Sequence, residues 1–189
     1  MQKSNLFLVS APSGTGKSTL INSVLDKAVQ SNFPLELSIS YTTRAPRVGE
    51  TDSNHYFFVS KEEFIAKKEA NFFLECAEVH GNWYGTSVDF VKSKLDEGIS
   101  LILEIDVQGF RLIHDLAFNY ESIFILPPSI QALEDRIKQR GDNDLSVINL
   151  RLENAKKELM CASEYKNLVI NNLFDEASEV LYQIITKET

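Results

Sequence analysis

The stretch LFLVSAPSGTGKST, residues 6–19, decides the fold. Its first four residues form a continuous apolar run, as expected for a strand that is buried on both faces. A loop with Gly14 and Gly16 follows, and apolar residues then recur at helical spacing over residues 18–29. The stretch therefore predicts a buried strand, a tight glycine loop and a helix in direct succession.

The loop matches the Walker A pattern GxxxxGK[ST], except that Ala11 stands at the first glycine position. Gly14 and Gly16 let the backbone curl so that successive N–H groups face a phosphate at the positive end of the helix. Lys17 can then reach the β- and γ-phosphates, and the Ser18 hydroxyl can bind Mg²⁺. We expect a nucleoside triphosphate here, held by Ala11, Pro12, Ser13, Gly14, Thr15, Gly16, Lys17, Ser18 and Thr19. The alternative is a Gly/Ser loop before a helix that contains a lysine by coincidence.

The alternation of apolar runs and helical segments continues along the chain. LILEI at 101–105 and IFIL at 123–126 have the length of buried strands, and each precedes a segment with helical periodicity. Such alternation is typical of an α/β fold, in which helices cover both faces of a parallel sheet. Together with the phosphate loop, it predicts a parallel sheet of the P-loop NTPase type.

One segment departs from this alternation. Residues 35–87 contain short alternating strands, turn residues and the charged helix KEEFIAKKE. This pattern predicts a small α+β insertion between the first helix and the second core strand. Insertions of this size in α/β enzymes usually bind a substrate.

The composition limits the possible partners. The 189 residues include 19 Lys+Arg and 27 Asp+Glu, so the formal net charge is −8 at pH 7. This charge disfavours a general nucleic-acid-binding or membrane-binding surface, but not a small anionic ligand that meets a local cluster of arginines. Since neither a signal peptide nor an apolar run of about 18–20 residues is visible, we expect a cytoplasmic protein.

The insertion carries a candidate phosphate-binding loop. SYTTRAPRVGE at 40–50 places Arg44 and Arg47 three residues apart in a loop stiffened by proline and glycine. Paired guanidinium groups hold a phosphate through forked, charge-assisted hydrogen bonds. HYFF at 55–58 and GNWYGT at 81–86 add phenol hydroxyls from two further loops.

At these residues the chain resembles the guanylate kinase family, whose members transfer a phosphoryl group from ATP to GMP. The resemblance extends over essentially the whole chain and rests on motifs in the same order: SAPSGTGKST, SxTTRxPRxGE with HYFF, FLExAEVxGNWYGT, LILEIDVQG, IFILPPS, RIKQRG and INLRL. It implies a nucleoside monophosphate kinase that uses ATP with Mg²⁺ and accepts GMP or dGMP. The sequence does not decide between a monomer and a homo-oligomer.

The resemblance also implies which residues bind GMP. Those implied to hold its phosphate are Arg44, Arg47, Tyr56 and Tyr84. Those implied to contact its guanine are Ser40, Glu75, Thr86 and Asp106. An ionised Glu75 suits guanine, because N1–H and the exocyclic amine lie side by side and a carboxylate accepts both. Without the resemblance, the favoured interpretation of Glu75 is a solvated charge on a strand.

Two acids end the strand of the LILEIDVQG motif. Glu104 and Asp106 are two residues apart and share one face of the strand, at the carboxyl end where α/β folds bind their ligands. This is the Walker B location, where an acid holds Mg²⁺, often through water. The guanylate kinase pattern usually has Asp-Ile-Asp here, and this chain has Glu104 in the first position. The expected metal-binding residues are Ser18, Glu104 and Asp106.

Three arginines follow in predicted helices. Arg136 and Arg140 are four residues apart on one helical face, and Arg151 is on the next helix. From their spacing alone, these arginines are interpreted as solvated charges on helices. The resemblance instead implies a lid at about 136–162 that closes over ATP, in a single domain whose core is 1–34, 88–135 and 163–189. The expected catalytic residues are Lys17, Arg44, Arg136, Arg140 and Arg151.

Two alternatives remain at this point. The first is another small-molecule kinase with a P-loop, such as a ribose bisphosphate phosphokinase, which should not need the SxTTRxPRxGE loop together with Glu75 and Tyr84. The second is a guanylate-kinase-like scaffold module that binds peptides without catalysis. Such modules typically lack a working phosphate loop, whereas Gly16, Lys17 and Ser18 are all present here.

Overall fold

The computed structural model of the chain describes residues 4–79, 81–114, 119–139 and 145–187. Its strands are β1 (Leu6–Ser10), β2 (Leu35–Leu37), β3 (Tyr41–Thr42), β4 (Phe57–Phe58), β5 (Phe73–Val79), β6 (Asn82–Ser87), β7 (Ser100–Glu104), β8 (Tyr120–Leu126) and β9 (Asn167–Ile170). Its α-helices are α1 (Lys17–Gln30), α2 (Lys61–Glu69), α3 (Val88–Asp96), α4 (Val107–His114), α5 (Ile130–Gln139), α6 (Leu145–Leu159) and α7 (Phe174–Lys187). A short 3-10 helix, Ala162–Glu164, lies between α6 and β9.

The core is a parallel sheet in the order β2-β7-β1-β8-β9. β1 is buried along its whole length, and its side chains alternate between two hydrophobic clusters. Phe7 and Val9 pack with residues of α1 and α7, whereas Leu6 and Leu8 pack with residues of α3 and α4. The continuous apolar run is needed because helices cover both faces of the sheet. The α/β fold with a parallel sheet is therefore confirmed.

A second sheet follows the order β4-β3-β6-β5. Its pairs are antiparallel except for β3 with β4. Phe64 of α2 is fully buried and stacks on Phe73 of β5, with 4.4 Å between ring centroids. The predicted α+β insertion is thus built around its own aromatic core.

The structure corrects one boundary of this insertion. The sequence placed residues 35–37 in the insertion, but β2 pairs in parallel with β7 and lies at the edge of the core sheet. Leu35 joins the hydrophobic cluster of α1 and α7. A strand of three residues has too short a pattern to show which sheet it joins, because that choice depends on its partner strand.

The helices α5 and α6 pack against each other through a separate cluster of Leu133, Ile137, Ile148, Leu152 and Ala155. The sequence predicted both helices. α6 ends at Leu159, before the expected end of the lid at about residue 162, where the 3-10 helix begins. Within the described ranges, no helix has the length and the apolar character that crossing a membrane requires.

Candidate active site

The loop after β1 has a conformation that requires glycine at two positions. Gly14 and Gly16 both have a φ of about +90°, in a region that other residues rarely adopt. Space is also limiting, since a Cβ at Gly16 would lie 2.8 Å from Asn171 Nδ2. Ala11, at the first glycine position of the pattern, does not have a positive φ and packs against the core. The loop therefore tolerates alanine there.

The carbonyl oxygen of Thr15 anchors this loop. Asn171, directly after β9, donates from Nδ2 to it at 2.7 Å, and Arg136 of α5 donates from Nη1 at 3.4 Å. Arg136 also donates from Nη2 to the carbonyl oxygen of Asn171 at 3.4 Å. The structure thus brings Arg136, an expected catalytic residue, to the phosphate loop. It also shows a role for Asn171 that no motif in the sequence indicated.

The carboxylate of Glu104 meets the first turn of α1. Ser18 Oγ donates to Glu104 Oε1 at 2.8 Å, and Lys17 Nζ lies 3.7 Å from the same oxygen. Lys17 Nζ also donates to the carbonyl oxygen of Ile105 at 3.3 Å. The contact follows from the pairing of β1 with β7, which places Val9 opposite Glu104. Two of the three expected metal-binding residues therefore lie together, with a hydroxyl and a carboxylate as oxygen donors.

Asp106, the third of them, is held at the start of α4. Its Oδ1 accepts the backbone N–H of Gly109 at 2.8 Å. A Cβ at Gly109 would lie 3.1 Å from Glu75 Oε2 and 3.4 Å from Asp106 Oδ1. The absence of a side chain at Gly109 therefore lets α4 lie close to both Glu75 and Asp106. In the sequence, the only sign of this role was the place of Gly109 in the LILEIDVQG motif.

Glu75 is a buried carboxylate with a neutral partner. Glu75 is only 8% exposed, and Thr86 Oγ1 donates to Glu75 Oε1 at 2.8 Å. The Ser40 hydroxyl lies 3.3 Å from that of Thr86 and extends the chain of hydroxyl contacts. Burial raises the pKa of Glu75 to about 7, the negative charge of Asp106 acts in the same direction, and the hydrogen bond from Thr86 opposes both.

One cavity joins Glu75 to the phosphate loop. It has a volume of about 180 Å³ and is open to solvent. Its lining combines groups from the core and from the insertion, namely Lys17, Ser40, Tyr56, Glu75, Ala77, Val79, Tyr84, Glu104, Ile105 and Asp106. A ligand here would meet both a buried carboxylate and the loop lysine.

Arg44 lies beside the two tyrosines of this cavity. Its guanidinium carbon is 5.4 Å from the ring centroid of Tyr56, and the rings of Tyr56 and Tyr84 are 5.9 Å apart. Arg44 Nη2 donates to Glu50 Oε1 at 2.9 Å. Burial raises the pKa of the Tyr56 phenol, so it remains a hydroxyl donor at neutral pH. The three residues form a positive, hydroxyl-rich surface that suits a phosphate.

Arg47 borders a second cavity, which shares Val79 and Asp106 with the cavity of Glu75. The second cavity is wider, at about 570 Å³, and is also lined by Arg151 of α6 and Ser13 of the phosphate loop. The structure thus brings one arginine of the insertion and one of α6 to the same cleft. Arg140 and residues 141–144 lie outside the described residues.

Glu158 of α6 is a charged residue at the phosphate loop that sequence reasoning missed. It lines the cavity formed by the loop and accepts the backbone N–H of Ser13. Burial raises its pKa, while the positive charge of Lys17 acts in the opposite direction. Only the packing of α6 against the core brings this acid to the loop, since 145 positions separate it from Ser13.

A model of the guanylate kinase family matches residues 3–188, which is nearly the whole chain. The chain belongs to the guanylate kinase family. The geometry agrees with that membership, because the family motifs converge on one cleft. The resemblance seen in the sequence is confirmed.

Individual guanylate kinases are similar over nearly the whole length of this chain. The chain is 46% identical to the guanylate kinase of Hahella chejuensis over 190 residues, which cover 100% of this chain and 88% of the relative. It is also 46% identical to the guanylate kinase of Cupriavidus metallidurans over 183 residues, covering 96% and 82%. The crystal structure of guanylate kinase from Anaplasma phagocytophilum matches with a TM-score of 0.80 at 30% identity, covering 100% of this chain and 87% of that one.

Proposed function

We propose that the chain transfers the γ-phosphoryl group of ATP to GMP or dGMP, giving ADP and GDP or dGDP. The observation that carries this function is the single cleft in which Lys17 of the phosphate loop faces the buried Glu75. A donor phosphate and a guanine can be held in that cleft with the acceptor phosphate between them. Membership of the guanylate kinase family supports the same reaction.

The donor site is the phosphate loop. In this proposal the residues from Ala11 to Thr19 bind ATP, and the backbone N–H groups after Gly14 surround its β-phosphate. Lys17 stabilises the γ-phosphoryl group during transfer. Asn171 supports the loop from behind by fixing the carbonyl of Thr15.

The residues at the loop fit Mg²⁺. Ser18 and Glu104 offer a hydroxyl and a carboxylate 2.8 Å apart, and hard oxygen donors that leave room for water and phosphate are those this ion prefers. Ser18 would bind the ion directly, with Glu104 and Asp106 acting through water. When bound, Mg²⁺ would neutralise charge on the phosphates of ATP.

The acceptor site divides between phosphate and base. We assign the phosphate to Arg44, Arg47, Tyr56 and Tyr84, and the guanine to Ser40, Glu75, Thr86 and Asp106. Arg44 and the tyrosines already adjoin one another. Glu75 is buried in the lining of the same cavity, where an unpaired base donor would be costly.

The reaction needs alignment and charge neutralisation rather than a covalent intermediate. An oxygen of the GMP phosphate attacks the γ-phosphorus in line with the leaving oxygen of ADP. Lys17 and arginines at positions 44, 136, 140 and 151 neutralise the charge on the transferred group. We infer that the insertion closes over GMP and the lid closes over ATP, so that water is excluded while the core stays fixed.

The setting proposed for this reaction is the cytoplasm, with free nucleotides as substrates. The net charge of −8 disfavours a general surface for nucleic acid polymers or anionic membranes. The arginines are instead concentrated in the segments assigned to phosphates. The charge distribution therefore favours binding of a free nucleotide over binding of a nucleic acid polymer.

Release of ADP tests the proposed function directly. Purified protein with ATP and Mg²⁺ should release ADP rapidly with GMP or dGMP, and about 10²-fold more slowly or less with AMP or UMP. Release with ribose bisphosphate but not with GMP would favour the phosphokinase alternative. Binding of GMP without any release of ADP would favour a non-catalytic module.

The raised pKa of Glu75 predicts that GMP binds more weakly in acid. Guanine requires the ionised carboxylate, and with a pKa of about 7 the ionised fraction falls about tenfold between pH 8 and pH 6. The KM for GMP should therefore rise about tenfold over that range through Glu75 alone. Steady-state kinetics at fixed, saturating ATP measures the rise.

The phosphate of GMP also titrates near pH 6, so the variant Glu75→Gln serves as the control. In that variant only the dependence caused by GMP and the other site groups should remain. Identical pH profiles of KM in the wild type and the variant would show that Glu75 does not govern the pH dependence.

A further inference from the structure

The carboxylate of Glu50 holds two parts of the phosphate-binding loop at once. Glu50 Oε1 accepts a hydrogen bond from Arg44 Nη2 at 2.9 Å, and Glu50 Oε2 accepts the backbone N–H of Arg47 at 2.7 Å. The backbone N–H of Glu50 in turn donates to the carbonyl oxygen of Arg47 at 3.0 Å. One side chain therefore fixes the Arg44 guanidinium and closes the turn that carries Arg47.

This arrangement requires a carboxylate. Both partners of Glu50 are N–H donors, and an amide of the same shape would offer one oxygen and one NH₂ group. Either of its orientations would leave one N–H facing another donor. The two hydrogen bonds also hold the pKa of Glu50 at about 2, so the charge is present at every pH at which the protein would be assayed.

The contacts of Arg44 show which conformation Glu50 selects. Arg44 Nη1 donates to the carbonyl oxygen of Ala45 at 2.8 Å, and its guanidinium carbon lies 5.4 Å and 5.9 Å from the rings of Tyr56 and Phe58. Its side chain is only 14% exposed. These contacts use part of the five N–H groups of the guanidinium. The remaining N–H groups are held beside Tyr56, one of the two tyrosines that line the cavity of Glu75.

Glu50 could affect phosphate binding in two opposite ways. As a competing anion it would weaken the attraction of Arg44 for a phosphate, so its removal would tighten binding. As a support it holds a flexible side chain in place before the ligand arrives, so its removal would weaken binding. The second contact of Glu50, to the Arg47 backbone, favours the role of support. Through this hydrogen bond Glu50 stabilises the turn that carries Arg47, which simple competition for Arg44 would not involve.

We infer that Glu50 is a positioning residue for the phosphate of the acceptor nucleotide, fixing Arg44 and the Arg47 turn so that they receive it together. The inference rests on the proposed function, since it assumes that Arg44 meets the phosphate of GMP. Glu50 belongs to the SxTTRxPRxGE motif, but neither the motif nor the mechanism above gives it a role. It acts through its neighbours and does not contact the nucleotide.

The test compares GMP with guanosine, which has the same base and ribose but no phosphate. Isothermal titration calorimetry gives the dissociation constant of each ligand for the wild type and for Glu50→Gln. The ratio of the two constants isolates the contribution of the phosphate. We expect Glu50→Gln to weaken GMP binding about tenfold, as for loss of one charge-assisted contact, and to leave guanosine binding unchanged.

Steady-state kinetics provides a second measure. In Glu50→Gln the KM for GMP should rise while the KM for ATP stays at the wild-type value. Glu36→Gln is the matched control, because Glu36 also forms an ion pair, with Lys94 at 2.9 Å, but belongs to β2 of the core sheet. The control should leave both KM values and the binding ratio unchanged.

Several results would overturn the inference. If Glu50→Gln binds GMP as tightly as the wild type, or more tightly, Glu50 is not a support for the phosphate site. If guanosine binding weakens as much as GMP binding, the role of Glu50 is to maintain the fold of the insertion. If Glu50→Gln does not fold, Glu50→Asp is judged by the same ratio, since it keeps the charge but is too short to reach both donors.

Failure of the proposed function would look different. In that case the wild type itself would bind GMP no more tightly than guanosine and would release no ADP with GMP. A wild type that prefers GMP, together with a Glu50→Gln variant that keeps the full preference, would overturn only the inference about Glu50.

Discussion

Replacement of Lys17 by alanine should lower kcat/KM for phosphoryl transfer by about 10²–10³-fold, as for loss of a charged group that stabilises the transition state. Lys17 Nζ lies 3.3 Å from the carbonyl oxygen of Ile105 and 3.7 Å from Glu104. It is thus directed at the carboxyl end of β7, where the proposed function places the γ-phosphate. Nothing else on α1 can take over this charge, because Lys27 is nearly three turns away.

The fold should survive this change. The buried face of α1 is formed by Leu20, Ile21, Val24 and Ala28, and Lys17 contributes nothing to it. Circular dichroism and thermal unfolding should therefore match the wild type while the release of ADP in a coupled assay collapses. Lys27→Ala is the control on the same helix, since it removes a surface ion pair with Glu179 at 2.9 Å. Turnover at the wild-type rate in Lys17→Ala would refute the assignment of the phosphate loop.

The core of the fold was predictable because its signals are local. The interiors of β1, β7 and β8 are buried on both faces, so each strand contains a continuous apolar run that stands out from the amphipathic helices. β2 could not be assigned in the same way. Its sequence LEL suits either sheet, and only the pairing of Leu35 with Ser100 decides that it belongs to the core.

The same distinction explains which site residues the sequence showed. Lys17 and Ser18 are readable because the chemistry of the phosphate loop fits within one contiguous motif. Asn171 is not, because its hydrogen bond to Thr15 spans 156 positions and depends on how β9 ends beside the loop. Glu158 reaches Ser13 through the packing of α6 and left no local signal either.

For Arg136, the sequence predicted the part of the fold in which it lies but not the groups that it contacts. The sequence placed it at the start of the expected lid, among the arginines that neutralise the phosphates being transferred. In the structure it donates to the carbonyl oxygens of Thr15 and Asn171, both at 3.4 Å. It therefore reaches the phosphate loop from the backbone side, and its part in neutralising the transferred group stays a prediction.

Replacement of Glu75 by glutamine should lower the preference for GMP over AMP by about 10²-fold or more. A site built to pair with hydrogen-bond donors rejects ligands that lack them by large factors, because its buried acceptors are left unpaired. Glu75 is buried, and Thr86 donates to one of its oxygens at 2.8 Å. Its carboxylate accepts the two adjacent donors of guanine, whereas a glutamine amide presents one acceptor and one donor. The NH₂ group of the amide would face one of guanine's N–H donors. The same amide complements adenine, which offers a ring nitrogen acceptor beside its amino group.

The measurement is the ratio of kcat/KM for GMP to that for AMP, taken at pH 8, where most of the wild-type Glu75 is ionised. Glu78→Gln is the matched control, because Glu78 is on the same strand, opposite Trp83, and does not line the cavity of Glu75. The control should keep the wild-type ratio. If Glu75→Gln kept it as well, another group would read the base, and Asp106 would be the next to test, since it lines the same cavity and raises the pKa of Glu75. If both nucleotides lost activity equally, Glu75 would support the shape of the cleft without selecting the base.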